Sequence, residues 1–193
     1  MLAVIGLGNV GSEYDGTRHN IGFRVVDELA GADAVFERRV DYLCHGVRIT
    51  GRKVLLVKPT TYMNLSGDAV RRVAREHKLA PDQMLVLSDD IHLPLGRLRI
   101  RKSGSDGGQK GLASIIETTG TNQFPRLRLG VGAPPDHSDW ADYVLRPFDD
   151  DERELARDMV ARARDCVRQW VHGGIGRAME RHNRSPNEEP KKG

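Results

Sequence analysis

Short apolar runs that break on polar loops, each followed by a stretch of helical period, constrain this chain more than any other feature. Residues 2–7 are such a run, continuous in Leu, Ala, Val and Ile up to Gly6, as expected of a strand buried on both faces. Ile21, Val25, Val26 and Leu29 then recur at helical spacing, and Gly31 stands where that helix should stop. Residues 43–49 and 54–57 flank Thr50-Gly51-Arg52-Lys53, which predicts two strands joined by a hairpin turn. Leu65, Ala69, Val70 and Val73 mark a second helix towards His77; residues 84–87 form a further buried strand, with Ser88-Asp89-Asp90 expected just beyond it.

From Arg97 the pattern becomes strict alternation. Arg97, Arg99 and Arg101 oppose Leu98 and Ile100, the signature of a half-exposed strand at a mixed or antiparallel edge. Residues 126–131 alternate again, predicting that Arg126 and Arg128 are exposed opposite Leu127, Leu129 and Val131. Between them runs a glycine loop, residues 102–111, followed by a helix through Leu112, Ile115 and Ile116 that Gly120 ends. A long amphipathic helix is expected over 151–172, with Leu155, Met159, Val160, Ala163, Val167, Trp170 and Val171 facing inward. Gly173-Gly174 should end it, a short helix should follow over 175–181, and residues 184–193 read as a polar, disordered tail.

The expected class is therefore α/β: a single globular domain over residues 1–183, a twisted mixed β-sheet flanked by helices. With 193 residues and 38% apolar content the chain can bury one core. Thirty Lys and Arg against 27 Asp and Glu leave only +3, so a nucleic-acid signal has to lie in where the charge sits. Cys44 and Cys166 lack CxxC or Cys/His spacing, which suggests neither a disulfide nor a zinc site. Without a basic leader or an apolar run near the ~20 residues that span a bilayer, a cytoplasmic protein is expected.

Gly6-Leu7-Gly8-Asn9-Val10-Gly11 spells the dinucleotide-binding pattern G-x-G-x-x-G. In that motif the glycine loop opens directly into a helix, and an acid about 20 residues on ends the next strand. Here Ser12-Glu13-Tyr14-Asp15-Gly16 intervenes, and Asp27 and Glu28 fall on the helix itself. The pattern reads better as an active-site loop. Asn9, Tyr14, His19, Asn64 and Asp89 all fall at or just past the carboxyl ends of expected strands, the edge where open α/β sheets bind ligands.

GLGNVGSEYDGTRHNIGF, KPTTYMNLSG, SDDIHLPLGRLRIRKSGSDGGQKGL, GTNQFPRLRLGVG and DYVLRPF resemble, in order and spacing, the bacterial peptidyl-tRNA hydrolases. The resemblance implies hydrolysis of the ester between a peptide and the 3′-terminal ribose of tRNA, by a monomer without metal or coenzyme. It implies His19 as general base, Asp89 as its orienting partner, and Asn9 and Asn64 as holders of peptide and water. Tyr14, Tyr62 and Met63 are implied to line the cleft.

The chemistry suits these residue types. Histidine titrates near neutral pH and can activate water; a carboxylate on its other nitrogen fixes the tautomer. An asparagine NH₂ can donate to the developing oxyanion, a contact worth roughly 3 kcal/mol in other hydrolases. No Gly-x-Ser-x-Gly elbow occurs, which argues against a covalent intermediate. His92, three residues from Asp89, competes as a catalytic or metal-binding histidine but lacks a second histidine at ligand spacing.

Arg97, Arg99, Arg101 and Lys102, joined by Lys110, Arg126 and Arg128, are expected to form a patch for acceptor-stem phosphates, with Arg101, Lys102 and Arg128 its main contacts. The family usually spells the glycine loop GGHNGL, whereas this chain has Gly108-Gln109-Lys110-Gly111-Leu112. Lysine cannot accept a hydrogen bond as asparagine does, so Lys110 is expected to face the cleft and meet a phosphate. The rival reading is a hydrolase-like RNA-binding protein without activity.

Overall fold

The computed structural model describes residues 1–134 and 139–183; the tail expected at 184–193 lies outside the described residues. Its strands are β1 (Leu2–Gly6), β2 (Glu37–Arg38), β3 (Tyr42–Ile49), β4 (Arg52–Pro59), β5 (Met84–Asp90), β6 (Leu98–Arg101) and β7 (Arg126–Gly130). They form one mixed sheet in the order β2-β3-β4-β1-β5-β7-β6. β4, β1, β5 and β7 run parallel, while β3 joins β4, and β6 joins β7, in antiparallel register. The continuous apolar runs form β4, β1 and β5 at the centre, and the alternating segments form β7 beside them and β6 at the edge.

Helices cover both faces: α1 (Ile21–Ala30) and α5 (Arg153–His182) on one, α2 (Ser66–His77) and α3 (Lys110–Thr119) on the other. β1 shows the division residue by residue, since Val4 joins the core under α1 and α5 while Ala3 and Ile5 join that under α2 and α3. Val4 and Ile5 each contribute about 1.5–3 kcal/mol by this burial. α1 lies close on β1 because Gly22 has no side chain: a Cβ there would sit 2.5 Å from the Leu7 carbonyl oxygen. That close approach brings the turn ahead of α1 over the carboxyl ends of β1 and β5. Both cysteines are free and buried, and burial pushes the Cys166 thiol up to about 12.

Several expectations are corrected. β5 continues through Ser88, Asp89 and Asp90, all three buried, so the acids end a strand instead of starting a loop. By contrast, the break expected at Gly173-Gly174 is present: within α5 the backbone leaves helical geometry at Gly174 (φ 78°, ψ 177°), and a second helical stretch follows to His182. Leu155 is 43% exposed and packs at the rim near Gly96, not in the core. Two elements had no signal in the pattern: the two-residue β2 and the short α4 (Trp140–Val144).

The cationic stripe also divides. Arg99 and Arg101 are exposed as expected, but Arg97 donates to the Asn183 carbonyl at 2.6 Å. The Asn183 side chain pairs with both the N–H and C=O of Ile100, at 2.8 and 3.0 Å, and so covers the open edge of β6. Arg126, expected on the surface, is 1% exposed. β7 is not an edge strand, and the glycine loop and Phe124 close over its arginine face. The Arg126 guanidinium donates to the carbonyls of Gly104, Ser105, Asn122 and Phe124 and lies 4.1 Å from the Phe124 ring centroid. Burial, with Arg128 nearby, pulls its pKa down to about 10, so it stays charged at neutral pH.

Replacing a buried, fully bonded guanidinium strands several carbonyls, a loss of about 2–4 kcal/mol. Arg126→Met should lower the urea midpoint accordingly, and Arg101→Ala should leave it within about 0.5 kcal/mol of wild type. Equal effects in the two variants would contradict the division between structural and exposed arginines.

Candidate active site

A groove of about 810 Å³ opens along the carboxyl ends of β1, β4 and β5. β1 lies between β4 and β5 in the strand order, so the groove sits where an open sheet changes winding direction and ligands collect. Each strand delivers side chains to it, from its own end or from the segment that follows. Asn9 comes from the loop after β1, Met63 and Asn64 from the single helical turn Met63–Leu65 after β4, and Asp89 from β5 itself. A smaller cavity of about 260 Å³ between α2 and α3 is lined by Val70, Leu79, Met84, Ile115 and Phe124 among others. Arg71 and three threonines are its polar members, and that lining contains no histidine or carboxylate.

His19 sits in the 3₁₀ turn Arg18–Asn20 that leads into α1. Its Nδ1 lies 2.8 Å from Asp89 Oδ2, with the His19 side chain 12% exposed and Asp89 4%. An ionised carboxylate only accepts, so Nδ1 carries the proton and donates, leaving the Nε2 lone pair for the groove. The other carboxylate oxygen, Oδ1, accepts from Gln109 Nε2 at 3.0 Å.

The residues flanking His19 in sequence have a different task. Arg18 is buried and donates to the Pro147 carbonyl, pairs with Glu152 and Asp149, and stacks 4.3 Å from the Tyr143 ring centroid. Together with the Arg18 N–H to the Arg146 carbonyl (3.1 Å), this ties the histidine turn to the segment after α4. Asn20 clamps the backbone of Asn9: its Oδ1 accepts from the Asn9 N–H at 2.8 Å and its Nδ2 donates to the Asn9 carbonyl at 2.9 Å. Thus Thr17-Arg18-His19-Asn20 presents only the imidazole to the groove.

Of the expected site residues, His19, Asp89, Asn9, Asn64, Tyr62, Met63, Lys110 and Arg128 line this one groove. Tyr14 does not; its loop folds back on itself, the Tyr14 carbonyl accepting from the Thr17 N–H (3.1 Å) and Oγ1 (2.8 Å). Arg101 and Lys102 are exposed but lie off the groove on the edge strand and just beyond it. His92 is a groove-wall residue packed edge-on against Trp140, ring centroids 5.2 Å apart. Arg128 Nε lies 2.9 Å from Asp90 Oδ2. Three residues escaped sequence reasoning: Gln109, Asn20 and Trp140. Gln109 had a signal, because it interrupts the expected His-Asn spelling; the side-chain roles of Asn20 and Trp140 depend on contacts across the fold.

The glycine loop after β1 runs into the 3₁₀ turn Ser12–Tyr14, and α1 begins only at Ile21. It therefore presents no helix N-terminus to a pyrophosphate. Among the described residues, no helix is long and apolar enough to cross a membrane.

A family model described as peptidyl-tRNA hydrolase matches residues 3–191. The chain is 45% identical over 184 residues to the peptidyl-tRNA hydrolase of Aquifex aeolicus (strain VF5), covering 94% of this chain and 95% of that protein. It is 41% identical over 187 residues to that of Thermodesulfovibrio yellowstonii, covering 95% and 100%. The crystal structure of peptidyl-tRNA hydrolase from Acinetobacter baumannii superposes with a TM-score of 0.88 at 32% identity, covering 95% of this chain and 94% of that one.

Burial opposes charge on the His19 ring more than any other single effect, but the Asp89 charge and its hydrogen bond together outweigh it. The pKa is raised, with Lys110 pulling the other way. The folded protein thus holds this proton more tightly than the unfolded chain. The resulting stabilisation is complete below the unfolded value, about 6.5, and is lost as pH rises through the folded one. An NMR titration of the His19 ring should give a midpoint above that of an ordinary imidazole. Asp89→Asn should lower it and Lys110→Ala should raise it further. A wild-type midpoint at or below the ordinary value would contradict the pairing.

Proposed function

Because the chain belongs to the peptidyl-tRNA hydrolase family, we propose that its groove hydrolyses the ester joining a peptide to tRNA with His19 as the base. The observation that carries this reading is the 2.8 Å hydrogen bond from His19 Nδ1 to a buried carboxylate, with the opposite ring nitrogen open to the groove. A water held between that nitrogen and the ester loses a proton to His19 as its oxygen bonds to the carbonyl carbon. The imidazolium so formed is stabilised by Asp89. Negative charge develops on the former carbonyl oxygen, where an NH₂ of Asn9 or Asn64 donates without adding charge. As the tetrahedral centre collapses, the C–O bond to the ribose breaks, and the leaving oxygen takes the proton back from His19. The products are a free peptide acid and tRNA.

Tyr62 and Met63 form the groove wall beside Asn64, and the exposed Tyr62 ring offers a flat surface to substrate. Arg128 is a phosphate contact on the groove lining. Arg101 pairs opposite Arg126, two residues from Arg128 in the register, or about 7 Å farther along the strand. With Lys102 it extends the cationic track away from the groove, and Lys110 meets a phosphate at the groove itself. The reading carries with it a monomer acting in the cytoplasm, where translation supplies the substrate. The rival of an RNA-binding relative without activity finds no support among the relatives compared.

Release of peptide from N-blocked aminoacyl-tRNA tests the proposal, with unblocked aminoacyl-tRNA as control. His19→Ala should lower kcat by about 10²–10⁴-fold with tRNA binding retained; a wild-type rate would refute the assignment. Arg128→Ala and Arg101→Ala should each weaken tRNA binding and reduce its salt slope by about one. Unaltered affinity across ionic strengths would remove the track.

A further inference from the structure

Gln109 is 8% exposed and stands immediately ahead of α3 as its N-cap. Its carboxamide is fixed from both ends. Oε1 accepts the Leu112 N–H at 2.8 Å, satisfying one of the free donors of the first helical turn. A peptide N–H can only donate, so the amide cannot be turned around, and its NH₂ must face Asp89, whose Oδ1 lies 3.0 Å away. The same Nε2 lies 3.5 Å from Met63 Sδ, so the amide touches the β4 loop, the end of β5 and the start of α3 at once.

We infer that Gln109 is a positioning residue of the hydrolytic site: its amide locks the Asp89 carboxylate in the rotation that presents Oδ2 to His19. The inference rests on the reading of His19 as the base. Without a second contact, a carboxylate at a strand end is free to turn about its terminal torsion, and the imidazole loses its fixed partner. Gln109 occupies the position that the family's usual spelling gives to histidine. An amide supplies the N–H without titrating, so no second charge appears beside Asp89 in the pH range where His19 changes state. Lys110, the next residue, is then the only cation the glycine loop brings to the groove lining among the described residues.

Two substitutions separate positioning from helix capping. Gln109→Glu keeps an acceptor for the Leu112 N–H and places favourable charge at a helix N-terminus, but removes the donor to Asp89. Gln109→Met is uncharged and can neither cap nor donate. Positioning predicts for both a fall in kcat on the order of tenfold to hundredfold and a smaller change in KM. The acid limb of kcat/KM should move in both: to higher pH in Gln109→Glu, where a second carboxylate beside Asp89 favours the imidazolium, and to lower pH in Gln109→Met, where the freed carboxylate no longer holds Oδ2 against His19. Capping alone predicts a lower Tm for Met, none for Glu, and an unmoved acid limb in both. A wild-type acid limb in either folded variant overturns the inference. His19→Ala assayed in parallel keeps the two questions apart: loss of activity there with unmoved Gln109 profiles refutes only the positioning role, whereas retained activity in His19→Ala refutes the reading beneath it.

Discussion

The hydrogen bond between His19 and Asp89 joins two parts of the chain that are seventy residues apart and have separate structural origins. The histidine arrives on a turn that α1 holds in place by its close approach to β1, through a glycine that leaves the Leu7 carbonyl room. The acid arrives on the last residues of a central parallel strand, buried on both faces. The carboxylate, able only to accept, decides which ring nitrogen keeps its proton. The groove receives the other. Desolvation alone would pull the ring's pKa down; the Asp89 charge and hydrogen bond turn the net shift upward.

Around that pair, polar side chains serve two ends that look alike in one dimension. Arg18, Asn20 and Arg126 spend their hydrogen bonds on backbone carbonyls, carboxylates or a neighbouring loop, and fix the loops that carry the site. His19, Asn9, Asn64 and Lys110 present theirs to the groove. Buried polar networks of the first kind are costly when incomplete and specific when complete. Here they hold the turn before α1, the loop after β1 and the glycine loop relative to one sheet edge.

Much of the fold was legible because burial on both faces leaves continuous apolar runs and burial on one leaves alternation. β1, β4 and β5 were readable by the first rule, and β6 by the second. Alternation also placed Arg126 and Arg128 on one face of β7, but it cannot say what covers that face, and Phe124 with the glycine loop covers Arg126. Likewise His19, Asn64 and Asp89 announced themselves by standing at or beyond strand ends, while Tyr14 obeyed the same rule and turned away because its loop closed on Thr17. Gln109 was visible only as a departure from an expected spelling. Its hydrogen bond to Asp89 depends on the distance between α3 and β5, which no local pattern contains.

A double-mutant cycle on kcat/KM for release of peptide from N-blocked aminoacyl-tRNA, with His19→Ala, Asp89→Asn and the double variant, tests the central claim most directly. If the acid acts through the imidazole, its loss costs nothing once the ring is gone, and the double variant should match His19→Ala. Multiplied losses in the double variant would show that the two residues work independently and would contradict the account.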